Sequence, residues 1–457
     1  MRIVIVGGGV VGYSLADQLL KDNHELSLVE LDTTLCHSIA EKLDLQVVNG
    51  SGSSPSVLRE AGIVGADMVL AVTPNDEVNL VVCALAGQYG VRERIARLRG
   101  AEFVESGDQL DLKQLGVTSV IRPEKVLVGQ VLQYVDTPHS IESANFEEGR
   151  ILLRGYQVTE AMPIANRTAR EIRESIAPEI VLFAAIIRKR EGMIPDGETT
   201  ILPGDIVYSL FPQESRDRFL QLVGADKTGR KIIITGDSYA TLELAQALDR
   251  EAKYHVTFAN PDAVHAEKAA ALCPNIEVLH GDCTEEDFLR ELNVGNASFF
   301  ISVSDSADYN ILTALLAKAE GAHEVIATTT DMSHNRLYKS IGVDHVINPR
   351  LTTAREILEM ISRGHIGAVV RLSDVDIEAV RMVVQPDSEV AGMKVRKIAT
   401  RLKRGTIIGV IVRDNKMILP EGETVIEARD HVILITHHRN LPTISKLFKP
   451  RGFLRRS

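Results

Sequence analysis

Ile3–Val6 is a short, wholly apolar run that ends in glycines. It is too short for a helix and predicts a buried strand. From Tyr13 to Leu20 the apolar positions recur at helical spacing, and Leu26–Val29 is another short apolar run. Asp67–Val72 reads as a later strand of the same kind. Strands alternating with helices predict a parallel, doubly wound α/β sheet. A different pattern follows. Val181–Ile187 and Ile206–Leu210 are strand-like and separated by turn signals, including Asp196-Gly197 and Pro203-Gly204. That pattern predicts a small α+β domain.

The whole pattern then recurs. "VVNGSGSSPSVLREAGIVGADMVLAVTPNDEVNL" (Val47–Leu80) lies without gaps on "VLHGDCTEEDFLRELNVGNASFFISVSDSADYNI" (Val278–Ile311). Gly50 falls on Gly281, Leu58 on Leu289, Ala66 on Ala297, Val72 on Val303 and Asn79 on Asn310. "PDGETTILPGDIVY" (Pro195–Tyr208) likewise matches "PEGETVIEARDHVI" (Pro420–Ile433). The blocks keep their order, so the chain is a tandem duplication of a two-domain unit. The fold class expected is α/β: two Rossmann-like domains, about 1–122 and 230–350, each followed by a small α+β domain, about 138–222 and 365–448. The segment 224–230, "GADKTGR", reads as the linker between halves.

Composition narrows the picture. Across 457 residues there is no Trp and aromatics are 4%, so the cores must be aliphatic. A net charge of −11 argues against a nucleic-acid binder with a broad basic face. A local basic patch remains at Lys446, Lys449, Arg451, Arg455 and Arg456. It reads either as a solvated terminus or as a contact with a membrane surface. The four cysteines are scattered, with no C-x-x-C pair, which fits a reducing cytoplasm and supports neither zinc nor redox motifs. The N-terminus shows no leader pattern, and apolar runs such as 180–187 fall far short of a membrane helix.

The candidate chemistry lies at "IVIVGGGVVG", where Gly7-x-Gly9-x-x-Gly12 joins a strand to a helix. Gly7 permits the tight turn, Gly9 lets the backbone approach a pyrophosphate, and Gly12 lets helix and strand pack closely. The helix start offers free N–H groups to phosphate. Glu30 ends the second strand at the spacing expected of a ribose acceptor, favouring NAD(H) over its 2′-phosphorylated form. Asp32 is a second candidate. Thr73 follows a strand at the carboxyl edge of the sheet, either as a ligand contact or as a helix cap. "RIARLR" places Arg97 and Arg99 on one face of a strand, as a phosphate clamp or as surface ion pairs.

The second half departs at each of these points. Gly236 remains, but Ser238 and Thr241 replace the other two glycines, Asn260 stands in place of Glu30, and Thr328 and Thr330 in place of the arginines. A side chain at Ser238 should crowd a pyrophosphate, so this half reads as a weakened or altered site. A Walker-like stretch at 224–231 has Arg230 where the lysine belongs and is rejected. His437 and His438, read as neighbours in a strand, should point to opposite faces and ligate no metal. No catalytic constellation stands out, and no metal site is expected.

Taken together, "IVIVGGGVVGYSLADQL", "VVNGSGSSPSVLREAG" with "ADMVLAVTPNDEVNL", "RIARLR" and the duplicated C-terminal block resemble the TrkA family of potassium-uptake regulators, built from tandem RCK units (regulator of potassium conductance). The resemblance spans the chain. It implies an RCK N-lobe and C-lobe in each half, and a cytosolic gating ring docked on a TrkH-type potassium-translocating membrane subunit. It implies binding of NAD(H) and, in some members, ATP or ADP. Mapped here, the contacts would be Gly7, Gly8, Gly9, Val10, Val11, Gly12, Glu30, Thr73, Pro74 and Arg97. Further candidates are Asp32, Arg99, Gly236, Asp237, Ser238, Tyr239, Ala240, Asn260 and Ser304. Ser51 stands where the family usually has Asp. Two units per chain would let a homotetramer form a pseudo-eightfold ring. The competing readings are an NAD-dependent oxidoreductase, for which no proton donor is nominated, and the regulator of a different transporter.

Overall fold

The computed structural model describes residues 1–99, 103, 111–177, 181–225, 230–251, 253–331, 334–362, 366–372, 375–403, 405–414 and 416–448. Part of the 224–230 linker, the central residues of the rejected Walker-like stretch, and Lys449, Arg451, Arg455 and Arg456 of the basic tail lie outside the described residues.

The first α/β domain runs β1 (Arg2–Val6), α1 (Val10–Lys21), β2 (Glu25–Glu30), α2 (Thr33–Lys42), β3 (Gln46–Asn49), α3 (Pro55–Glu60), β4 (Met68–Ala71), α4 (Asp76–Gln88), β5 (Glu93–Arg97), β6 (Ser119–Ile121) and α5 (Pro123–Asp136). Its strands lie in the order β3-β2-β1-β4-β5-β6, all parallel. The order reverses between β1 and β4, the place where ligands bind in open sheets of this kind. Helix α1 covers the sheet with Val11, Leu15, Ala16 and Leu19, and α4 with Val82, Cys83 and Ala86. Ile3, Val4, Ile5 and Val6 are all buried, which is why β1 is apolar throughout rather than alternating.

The first small domain follows: β7 (Ser140–Phe146), β8 (Ile151–Gln157), β9 (Arg167–Thr168), α6 (Ala169–Ile176), β10 (Leu182–Arg188), β11 (Glu191–Met193), β12 (Thr200–Ile201), β13 (Ile206–Pro212) and α7 (Arg216–Leu222). Its main sheet is antiparallel, in the order β11-β10-β13-β8-β7. A capping box at Thr168 and Glu171 starts α6.

The second half repeats both. Its α/β domain contains β14 (Arg230–Thr235), α8 (Tyr239–Asp249), β15 (Tyr254–Asn260), α9 (Ala263–Leu272), β16 (Glu277–His280), α10 (Glu286–Glu291), β17 (Phe299–Ser302), α11 (Ala307–Ala319), β18 (Glu324–Thr328), α12 (Asn335–Ser340), β19 (His345–Ile347) and α13 (Pro349–Ser362). The parallel order β16-β15-β14-β17-β18-β19 reproduces the first sheet. The last small domain holds β20 (Ile366–Arg371), β21 (Glu378–Val383), α14 (Val395–Ala399), β22 (Thr406–Arg413), β23 (Lys416–Ile418), β24 (His431–Thr436) and α15 (Leu441–Phe448), with the sheet order β20-β21-β24-β22-β23.

The chain divides into two compact units. One unit, Met1–Val131 with Gly229–Leu358, holds both α/β domains. The other, Leu132–Thr228 with Glu359–Ser457, holds both small domains. In the second unit, Leu153, Ala184 and Leu210 of the first sheet share one buried cluster with Ala379, Val410 and Ile433 of the second. Each small sheet thus buries one face against its repeat. The rim of that contact is ionic: Glu147 accepts from Arg381 at 3.0 Å and from His431 at 2.7 Å.

Strand β24 stops at Thr436, so His437 and His438 are not strand neighbours as the sequence suggested. His437 caps a 3-10 turn with its ring against the Asp376 carbonyl, and His438 pairs with Glu378. Among the described residues, no group of His, Cys, Asp and Glu is placed to hold a metal ion. No described helix is long and apolar enough to cross a membrane.

Candidate functional site

The three glycines of the first turn are required for different reasons. Gly7 has φ +107°, and a Cβ there would lie 2.9 Å from the Thr73 amide nitrogen. A Cβ at Gly12 would lie 1.8 Å from the Gly7 carbonyl oxygen. The protein's own backbone therefore excludes side chains at both. Gly9 is different. Its φ of −62° suits any residue, and a Cβ there meets nothing within 4 Å. The fold does not need a glycine at Gly9; the open space beside the start of α1 does. No side chain caps that helix.

Glu30 ends β2 beside the turn. Its Oε2 accepts from the Gly8 amide at 2.5 Å, and its Oε1 from Leu31 at 2.7 Å and Asp32 at 2.9 Å. A carboxylate offers roughly four lone-pair positions, so capacity for a further hydroxyl remains. Asp32 is occupied otherwise: its Oδ1 caps α2 by accepting from Leu35 at 3.0 Å.

The opposite rim is held by a residue that the reading of the turn passed over. Asn79 is fully buried on α4. Its amide donates to the Thr73 carbonyl at 3.0 Å and the Arg97 carbonyl at 2.8 Å, and accepts from the Thr73 amide and hydroxyl at 3.0 and 2.8 Å. One side chain thus ties the carboxyl ends of β4 and β5 together. The cap of α4 is Asn75, not Thr73.

Arg97 closes β5. Its Nη1 donates to the Thr73 carbonyl at 3.4 Å, while its buried Nε has no hydrogen-bond partner among the described residues. Burial first, and then the neighbouring Arg99, lower its pKa from the usual guanidinium value. A half-buried cation beside a second cation, with a donor unsatisfied, is arranged for an anion. Arg99 lies beyond the end of β5, so the two do not share a strand face as expected. Its Nε donates to Glu124 at 3.1 Å.

The second turn is built on the same frame but closed. Ser238 caps α8 and donates its hydroxyl to the Val303 carbonyl at 3.0 Å. Thr241, in the place of Gly12, donates to the same carbonyl. Asn260 is fully buried; it donates to the Gly236 carbonyl at 2.6 Å and accepts from the Asp262 amide at 2.8 Å. Asn310 repeats the role of Asn79, joining Ser304 to Thr328.

Both turns open into one cavity of about 910 Å³ within the α/β unit. Gly7, Gly9, Val10, Val11 and Glu30 line it from the first turn, and Thr73, Pro74, Arg97 and Arg99 from the far rim. Ser51 also reaches it. From the second half come Asp237, Ser238, Tyr239, Ala240 and Ser304. Of the sequence candidates, Gly8, Gly12, Asp32, Gly236 and Asn260 are not on its wall. Three charged lining residues were missed, Glu124, Asp305 and Arg350. Glu124 and Arg350 each follow the proline that opens α5 or α13, so the repeat itself carried that signal.

Models of the TrkA-N domain match residues 3–123 and 232–349, and the TrkA-C domain matches 379–449. The chain belongs to the TrkA family. It is 28% identical over 458 residues to the Trk system potassium uptake protein TrkA of Haemophilus influenzae, covering 99% of this chain and 100% of that protein. It is 30% identical over 454 residues to a TrkA homolog of Archaeoglobus fulgidus, covering 98% and 100%. Among solved structures, the GsuK channel bound to NAD superposes with a TM-score of 0.58 at 18% identity, covering 98% of this chain and 78% of that one. The tandem α/β and α+β architecture and the resemblance to potassium-uptake regulators expected from the sequence are therefore both borne out.

Proposed function

We propose that this TrkA-family chain is a cytosolic, nucleotide-responsive regulatory subunit that seats NAD(H) at the first glycine turn and gates a TrkH-type potassium-translocating subunit at the membrane's inner face. ATP and ADP compete for the same seat, and the working form is a homotetrameric ring. The nucleotide is bound and not turned over. The observation that carries this reading is the conjunction of Gly9, whose side-chain direction is open space, with the unpartnered Nε of Arg97 in the same cavity. The residues fit a dinucleotide in order: backbone amides at the start of α1 for the pyrophosphate, Glu30 for ribose hydroxyls, and Arg97 for phosphate charge. The NAD-bound GsuK channel shares the fold and lends the same direction.

Regulation follows from linkage. A ligand shifts a membrane partner only by binding two arrangements of the ring with different affinity. Arg97 is held through Asn79 to both β4 and β5, so an anion drawing on Arg97 acts on the frame of the domain and not on one loop.

Calorimetric titration with NADH, NAD, ATP and ADP tests the seat, alongside Gly9→Val and Glu30→Ala variants. Saturable binding that both variants lose is expected, as is co-purification with the membrane subunit. No binding of any nucleotide would sink the reading. Hydride transfer from NADH to a small carbonyl compound would replace it with an oxidoreductase.

A further inference from the structure

The two small domains share a frame but not a surface. In each, one sheet face packs on the other repeat, and the opposite face is covered by two short helices, α6 and α7 in the first domain and α14 and α15 in the second. Lys394 bridges Val425 as Thr168 pairs with Thr200, which sets α14 on α6. Ile444 and Phe448 of α15 are buried as Phe219 and Val223 are, which sets α15 on α7. The buried positions agree and the solvent positions do not. Lys397, Arg401, Lys403 and Lys446 stand where the first domain has Glu171, Ser175, Ala177 and Gln221, and all eight are exposed. From 394 to 403 the sequence has five Lys or Arg and no Asp or Glu, whereas Arg170 and Arg173 in the first domain are balanced by Glu171 and Glu174.

The exchange weakens the local structure. Thr168 and Glu171 form the capping box of α6. Lysines hold both places in α14, no side chain caps it, and it has 5 residues where α6 has 8. The fold of the domain gives no reason for lysine at either place.

The cations also converge. The Glu389 amide donates to the Leu447 carbonyl at 3.2 Å, and the Glu389 carboxylate pairs with Arg401 at 3.3 Å. The end of α15, with Lys446, therefore lies beside the turn that follows α14. Beyond Phe448 the sequence adds Lys449, Arg451, Arg455 and Arg456, with Phe453 and Leu454 among them. Carboxylates answer part of this charge. Glu423, two residues after the exposed Glu421, pairs with Lys394 and Arg396, and Asp387 stands two residues before Glu389. The three pairs join side chains 37–64% exposed, where ion pairs hold weakly. Among the described residues Lys397, Lys403 and Lys446 make no ion pair.

We propose that this face of the second small domain docks on an anionic lipid surface. Its charge names an anionic partner, and the Phe453-Leu454 pair among cations favours lipid over nucleic acid. Cations stay with the headgroups while apolar side chains enter the boundary beneath them. The chain as a whole, at −11, is repelled by such a surface. Screening limits that repulsion to about 8 Å, so the charges nearest the surface decide the contact. The contact goes beyond the gating role proposed above, since it needs no membrane subunit.

The test is flotation of the full chain, with no membrane protein present, on vesicles of phosphatidylcholine alone and of phosphatidylcholine mixed with phosphatidylglycerol, at low and high salt. Binding to the mixed vesicles alone, weakened by salt, is expected. Lys397→Gln, Lys403→Gln and Lys446→Gln together should weaken it about 10–100-fold. Lys189→Gln with Arg190→Gln, which removes two exposed cations from the turn between β10 and β11, should change it by no more than about twofold. All five side chains are exposed, so an unchanged melting temperature should accompany both variants. Equal binding to both vesicles, binding to neither, or an affinity that the triple variant leaves unaltered overturns the proposal. A DNA duplex bound at a salt concentration where mixed vesicles are not would overturn it in favour of nucleic acid.

Discussion

At Gly9 the start of α1 faces open space, whereas at its counterpart Ser238 a hydroxyl both caps α8 and donates to the Val303 carbonyl. Thr241 and Asn260 extend the same contrast. Where the first half has Gly12 and Glu30, the second has side chains that bond its own carbonyls at Val303 and Gly236. The second turn satisfies its polar groups internally, and the first leaves a helix start uncapped and a guanidinium nitrogen unpaired. Two copies of one frame have thus divided the work. Loss of a glycine here is not erosion: the replacing side chains make the second domain self-sufficient.

The comparison fails first if the two domains come apart. The Arg122–Glu243 ion pair, buried to 5% and 11% side-chain exposure, joins them. Arg122→Met should cost about 3–5 kcal/mol in urea denaturation by removing the cation from a buried ion pair, and adding Glu243→Leu should restore most of it. A single variant as stable as the unaltered chain would mean that the pair does not hold the halves.

The asparagines come next. Asn79→Ala and Asn310→Ala should each cost about 2–4 kcal/mol, because each strands backbone groups at two strand ends. Only Asn79→Ala should also weaken NADH, since it releases Thr73 and Arg97. Equal effects of both on NADH affinity would erase the distinction between the halves.

The turns themselves give a sharper contrast in binding than in stability. Gly9→Val should weaken NADH about 10–100-fold while shifting stability by no more than about 0.5 kcal/mol. Ser238→Gly should do the reverse, costing about 0.5–1.5 kcal/mol through the lost cap and hydrogen bond and leaving NADH unaffected. Isothermal titration and thermal melts of the same samples separate the two.

The smallest effect is expected at the rim between the small domains. Burial raises the Glu147 pKa, but hydrogen bonds from His431 and Arg381 outweigh it and hold the carboxyl below its usual value. A carboxylate depressed in the folded state adds stability that is complete above its unfolded pKa of about 4.3 and is lost as pH falls through the lower folded value. Glu147→Gln should therefore flatten the acid limb of the stability profile, read by urea denaturation as the pH is lowered through the carboxylate range.

Much of this was legible along the chain because it is local. Val4 and Ile5 sit in a run buried on both faces, and Gly7 and Gly12 answer to atoms a few residues away or at the next strand end. The repeat carried the rest of the architecture, including the pairing of Asn79 with Asn310, although not what those amides do. Side-chain direction was less legible. Asp32 has the right type and spacing for a ribose, yet it caps α2; Arg99 has the right spacing for a strand face, yet the strand ends at Arg97.

Periodicity, glycine placement and self-similarity were enough to set the parallel α/β class, the duplication and the first turn, since each depends on short-range sterics and burial. The shared cavity and the closure of the second turn were not written in any one stretch. They arise because packing brings segments hundreds of residues apart to the carboxyl ends of two sheets, where charges separated in sequence line one cavity.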